Sequence, residues 1–259
     1  MKTKLILSVL AFSVMFTGCH QDKLSSFADN EKIADSKEPG KKLPWDYPVK
    51  PGTEEWKKFQ TRDEMVAACQ IPEDILPNLS TEDLTEICLQ YPLLYDVFGF
   101  QDKNTVLDKL VKEFNGLREL YKRTNLSVFL LKHYVEKTQN FSYLNGKASD
   151  VDKGHYINSF SILEFLLSRL EGQNNEGTGF KEILKALVTG YEGKLRYSND
   201  FIGTGFESNF FSRARVISKM DPSFVNQLRG KDKDDALYSG MVDEGTINTI
   251  DEWSYRLIK

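Results

Sequence analysis

The placement of proline constrains this chain more than any other feature. Seven of its eight prolines lie between Pro39 and Pro92, and only Pro222 follows. Proline inside a helix removes a backbone donor and clashes with the carbonyl four residues back. The front of the body is therefore expected as short elements with frequent corners, and the remainder as long uninterrupted helices.

Hydrophobic spacing points the same way. Leu107, Leu110, Phe114, Leu117 and Tyr121 step by three and four, which predicts one amphipathic helix. The series Tyr156, Phe160, Leu163, Leu167, Leu170 predicts another, as does Phe180, Leu184, Leu187, Tyr191, Leu195. Leu126 to Gln139 is apolar around a wider arc and reads as a central helix. Phe210, Ala214, Ile217 and Met220 mark one more, and Ile247 to Ile258 the last.

Start signals sit where the prolines demand short elements. Thr53 is placed to cap a short helix through Phe59, Thr61-Arg62-Asp63-Glu64 has capping-box spacing, and Ser80 precedes a first turn holding Glu82 and Asp83. No run alternates as a strand would. Asn145-Gly146 signals a hairpin only between strands, and a helical pattern follows it. The expected fold is all-α: a single irregular bundle of about 8–10 helices over residues 45–259.

Ahead of that body stands a different kind of segment. Lys2 and Lys4 open it, an apolar run from Leu5 to Phe16 follows, and Thr17-Gly18-Cys19 closes it. This order of charge, apolar core and small residues is that of a secretory signal. The run falls short of the roughly 20 apolar residues that span a bilayer. Thr17-Gly18-Cys19 resembles a bacterial lipobox, although Phe16 stands where leucine is usual. Residues 1–18 are thus expected as a signal peptide, and Cys19 as the lipidated first residue of the mature chain. Two or three acyl chains there suffice for stable anchoring. Residues 19–44 are polar and read as a flexible tether.

The formal net charge is −4, and the leader contributes two lysines and no acids. The mature chain is therefore acidic and lacks the basic excess that nucleic-acid binding requires. Cys69 and Cys88 are open to a disulfide in an exported protein, but both stand among apolar residues, where cysteine behaves as a small hydrophobe.

Few groups suggest chemistry. His133 and Glu136 share a helix face at a spacing a metal could use, but no further ligand accompanies them, and no metal or other cofactor is expected. Asp150-Val151-Asp152-Lys153-Gly154 and Asp232-Lys233-Asp234-Asp235 lack the full calcium-loop pattern and read as solvated loops. Gly177-Thr178-Gly179-Phe180 recurs as Gly203-Thr204-Gly205-Phe206; without a P-loop lysine, these glycines are expected to turn the chain and the threonines to help cap helices. Trp45, Tyr47 and Trp56 suit a sugar-stacking platform or a pin holding the leading strap, and the pin is preferred. Arg213 and Arg215 read as surface charges. No catalytic motif emerges.

Three stretches, Pro51-Gly52-Thr53-Glu54-Glu55-Trp56, Cys69-Gln70-Ile71-Pro72-Glu73-Asp74 and Cys88-Leu89-Gln90-Tyr91-Pro92-Leu93-Leu94-Tyr95-Asp96, together with Phe114-Asn115-Gly116-Leu117-Arg118-Glu119-Leu120, resemble a family of uncharacterised lipoproteins from Bacteroides-type Gram-negative bacteria. The resemblance implies a cell-envelope location on the outer membrane and brings no activity with it. The expected function is a lipid-anchored interaction or accessory module with an envelope protein or glycan as partner. The alternatives are a small envelope hydrolase and a glycan-binding subunit of an uptake system.

Overall fold

The computed structural model describes residues 42–146, 149–171, 179–201, 203–228 and 231–259. The expected signal peptide, Cys19 and most of the expected tether lie outside the described residues. From Leu43 onward the chain forms one unit. It is all-α, with no strand among the described residues.

Ten α-helices are described, and they are numbered α1 (Arg62–Ala68), α2 (Thr81–Leu89), α3 (Lys103–Glu113), α4 (Asn115–Leu120), α5 (Leu126–Gln139), α6 (Asp150–Ser168), α7 (Phe180–Arg196), α8 (Thr204–Met220), α9 (Lys231–Asp234) and α10 (Glu244–Ile258). The proline-rich front is broken into short pieces. A single 3-10 turn at Trp56–Lys58 precedes α1, another at Leu76–Asn78 separates α1 from α2, and a longer one at Leu94–Gly99 separates α2 from α3. The expected caps are in place. Thr61 and Glu64 complete a capping box on α1, and Ser80 Oγ accepts from the Asp83 amide at α2. Thr53 Oγ1 accepts from the Trp56 amide, although the helix it starts is only one 3-10 turn.

The expected helix from Leu107 to Tyr121 is interrupted. Phe114 takes an extended conformation (φ −97°, ψ 118°) and divides it into α3 and α4. The cause lies in the loop after α1. Gln70 Nε2 donates to the Glu113 carbonyl, and Gln70 Oε1 accepts from the Asn115 amide. Asn115 replies through its own side chain, with Oδ1 accepting from the Ile71 amide and Nδ2 donating to the Ile71 carbonyl. Backbone groups that leave the helix are thereby paired with distant side chains. The break turns the Phe114 ring onto Tyr91, stacked at 4.2 Å. Gly116 leaves room for that ring, since a Cβ there would press on Phe114 and Ile71.

The back half is built around α6 and α8. Every residue from Phe160 to Ser168 is buried, so the apolar-all-round helix is the second half of α6. The wider apolar arc of α5 fits a one-sided helix instead, buried at Leu126, Leu130, Leu131 and Tyr134. Helix α8 packs on α6, α7 and α10, and α5 packs on α6 and α7. Burying each large apolar side chain here contributes roughly 1.5–3 kcal/mol.

Other boundaries shift for local reasons. Asp150 to Gly154 is the start of α6 and not a loop, because Ser149 and Asp152 form a capping box. Lys231–Asp234 is helical and runs into a π-turn at Asp235–Ser239, so the second acidic stretch is not an open loop either. Gly203 turns the chain with φ +53° and stands at the N-cap of α8, and the Thr204 side chain lies outside what is described. Gly177 and Thr178 lie outside the described residues, and Gly179 caps α7. Among the described residues, no helix is long and apolar enough to cross a membrane.

Candidate functional site

Helix α6 carries two polar constellations, one sealed in the core and one open to solvent. The sealed one centres on Glu164, the single acid in the buried half of α6. Its Oε1 accepts from Tyr134 Oη on α5 (2.7 Å) and Asn209 Nδ2 on α8 (2.8 Å). Its Oε2 accepts from Lys194 Nζ on α7 (2.7 Å) and Ser208 Oγ on α8 (2.5 Å). The Lys194 ammonium also donates to the Gly205 carbonyl (2.6 Å) and lies 4.8 Å and 5.3 Å from the ring centroids of Phe160 and Phe201. Both charged side chains are 0 % exposed.

Local sequence makes room for this cluster. Gly190 and Gly193 on α7 admit the Tyr134 hydroxyl and the Phe141 ring to the helix backbone, where any Cβ would collide with them. Burial pulls the Lys194 ammonium below its ordinary pKa, opposed by Glu164. Burial, with Glu164 adding to it, pushes the Tyr134 phenol far up, so it stays a donor. Arg213 continues the polar face of α8. Its Nη1 donates to Asp251 Oδ1 on α10 (2.6 Å), and its guanidinium lies 4.3 Å from the Tyr191 ring centroid. Both Glu164 oxygens are saturated by donors, and the group ties α5, α6, α7 and α8 together. Its chemistry is that of a structural clamp.

The open constellation sits on the first turns of α6. Asp152, His155, Tyr156 and Ser159 share one helix face at i, i+3, i+4 and i+7. Tyr95 from the 3-10 turn before α3 and Tyr143 from the 3-10 turn Phe141–Asn145 complete the walls of an open groove of about 350 Å³. Tyr95 is 39 % and Tyr143 is 45 % exposed, among the few large aromatic side chains left to solvent. The Tyr143 and Tyr156 rings lie 5.5 Å apart. Tyr156 is fixed by its hydroxyl, which donates to the Lys137 carbonyl (2.7 Å), while the Lys137 ammonium lies 4.9 Å from its ring centroid. Burial raises the Tyr95 phenol, so it too presents a neutral hydroxyl.

The residues singled out from sequence disperse. Tyr47 is buried and donates through its hydroxyl to the Ile87 carbonyl (2.9 Å), with Trp45 edge-on to its ring and Trp56 packed on the core. They act as the pin and not as a platform. His133 Nε2 faces Glu86 on α2 at 3.4 Å, and no metal-ligating cluster forms among the described residues. Cys69 and Cys88 are buried free thiols. Arg213 and Arg215 correct the surface reading: Arg213 is fully buried and Arg215 is half-buried over the Phe211 ring. Neither Glu164 nor the groove tyrosines stood out in the sequence. A lone acid inside an apolar stretch was the one available signal.

No protein-family model, no curated protein and no solved structure matches this chain.

Proposed function

We propose that the chain is a lipid-anchored cell-envelope protein whose helical body works by binding, as an interaction or accessory module. The geometric support is the contrast along α6. Its one buried charge, Glu164, is paired with Lys194 of α7 in a clamp that joins four helices, while its exposed end presents aromatic and polar side chains in an open groove. A rigid scaffold displaying such a surface suits recognition. The membrane part of the proposal rests on the lipobox-like Thr17-Gly18-Cys19 and the apolar run before it. Attachment through acyl chains on Cys19 would place the body at the outer membrane.

Two measurements test this reading. Labelled palmitate should enter the wild-type protein and not Cys19→Ala; equal labelling removes the anchor. Crosslinking in cells should recover a reproducible envelope partner. Recovery of none, together with turnover of an envelope substrate by the purified protein, would replace binding with catalysis.

A further inference from the structure

We propose that the groove formed by Tyr95, Tyr143 and the Asp152–Ser159 face of α6 binds one or two rings of a neutral carbohydrate. This rests on the recognition role proposed above and names its ligand.

The groove joins two chemistries that a pyranose presents together. A sugar ring has a face of C–H groups, slightly positive, and the face of an aromatic ring is negative, so the two stack. Tyr95, Tyr143 and Tyr156 supply such rings, and Tyr143 and Tyr156 stand close enough (5.5 Å) to act as one surface. The sugar's edge carries hydroxyls that both donate and accept. Asp152, His155 and Ser159 line the same groove at successive turns of α6. Asp152 spends Oδ2 on Ser149, accepting from its amide and hydroxyl. Its Oδ1 makes no hydrogen bond among the described residues, and His155 is exposed with neither a hydrogen bond nor an ion pair there. A carboxylate oxygen and an imidazole left in this state beside aromatic faces are suited to hydroxyl groups.

Size and charge narrow the ligand. About 350 Å³ lies at the lower end of small-molecule sites, enough for one or two sugar rings and short for an extended peptide. Among the described residues Asp152 is the sole acid lining the groove, which disfavours acidic sugars. One carboxylate already engaged by Ser149 is a weak attraction for a cationic ligand. The site is also held in advance: Tyr156 is locked by Lys137, and Tyr95 packs beside Phe98 at 5.8 Å. Ligand binding therefore orders few side chains.

The experiment is calorimetric titration of the mature full-length chain in detergent with cellohexaose, maltohexaose and mannohexaose, with hexagalacturonate as the acidic control. At least one neutral hexaose is expected to bind with a Kd of about 1 mM or tighter, and hexagalacturonate more weakly than that hexaose. Tyr143→Ala and Tyr95→Ala are each expected to weaken binding about tenfold at unchanged melting temperature, while Tyr143→Phe, which keeps the ring, stays within about threefold of wild type. Absence of binding by all three neutral hexaoses at about ten times that concentration overturns the proposal. So does binding that survives both alanine substitutions, or hexagalacturonate binding as tightly as the best neutral sugar. A crosslinked protein partner lost with Tyr143→Ala, without hexaose binding, would overturn this inference and leave the recognition role standing.

Discussion

Gln70 and Asn115 exchange backbone partners across the front of the molecule. Each side-chain amide serves the other's segment: Gln70 pairs with the Glu113 carbonyl and the Asn115 amide, and Asn115 pairs with both backbone groups of Ile71. The four hydrogen bonds close the gap that the Phe114 break opens in the helical ladder. Asn115→Leu would leave two backbone groups of a buried residue unpaired at about 1–3 kcal/mol each, so a loss of roughly 2–6 kcal/mol is expected in urea denaturation. A loss below about 1 kcal/mol would mean that water replaces the amide there.

The buried pair at the centre of the back half makes a sharper demand. Removing one partner strands a charge in the core, and such changes cost about 3–5 kcal/mol. Glu164→Gln and Lys194→Met are each expected to fall in that range by equilibrium unfolding. The double variant should recover at least half of the summed loss, because no lone charge remains. Additive losses would show that the two residues act independently.

Gly190 tests the close approach of α5 and α7. Alanine is the better helix former by about 1 kcal/mol, yet a Cβ at 190 would overlap the Tyr134 hydroxyl. Gly190→Ala is expected to destabilise, and to do so less in a Tyr134→Phe background, where the hydroxyl is gone. Thermal melts of the four proteins read this directly; a stabilised single variant would mean that the helices part at no cost.

Cys69 and Cys88 give a reactivity prediction. Burial raises the Cys69 thiol to about 11 and the Cys88 thiol well above its ordinary value, so both are protonated at pH 8. Alkylation by iodoacetamide at pH 8, read peptide by peptide, should be slow in the native protein and fast in urea. Rapid native labelling of Cys88 would show that α2 opens readily.

The start of α10 should respond to acid. Asp243 Oδ1 accepts from the Thr246 amide (2.8 Å), and these hydrogen bonds hold its carboxyl below the usual 3.8. A depressed folded-state value means that the cap contributes fully above 3.8 and is lost as pH falls through the lowered value. Hydrogen exchange at Thr246 should therefore accelerate in acid beyond the intrinsic rate. Asp243→Asn, which keeps an acceptor without a charge, should remove that extra acceleration.

Local signals carried the sequence reading as far as they reach. The capping box at Thr61, the Ser80 cap and the limits of α5 follow from neighbours within four residues, and the all-α class follows from periodicity. The break at Phe114 does not, because the apolar spacing of Leu110, Phe114 and Leu117 runs straight through it and the cause sits at Gln70. The clamp was hidden for a related reason. Ser208, Asn209, Ser212 and Arg213 form a polar stripe at helical spacing, which by itself describes a solvent face. Only the arrival of Glu164 and Asp251 from other helices makes its burial tolerable. The groove was illegible because Tyr95 and Tyr143 reach it from separate turns.

The Tyr47 pin carries a mechanical consequence under the proposed anchoring. Any pull exerted through the tether reaches the folded body at the strap around Trp45 and Tyr47, and the Tyr47 hydroxyl passes it to the carbonyl of Ile87 in α2. Tension is thus delivered to the front half, beside Tyr91 and Phe114. Single-molecule stretching from the amino terminus should peel the strap and α2 first, while stretching from Lys259 should load α10 and its link to Arg213. If both directions give the same first rupture, the pin bears no load. A different first rupture in the two directions would show that the strap takes the load of the proposed anchor.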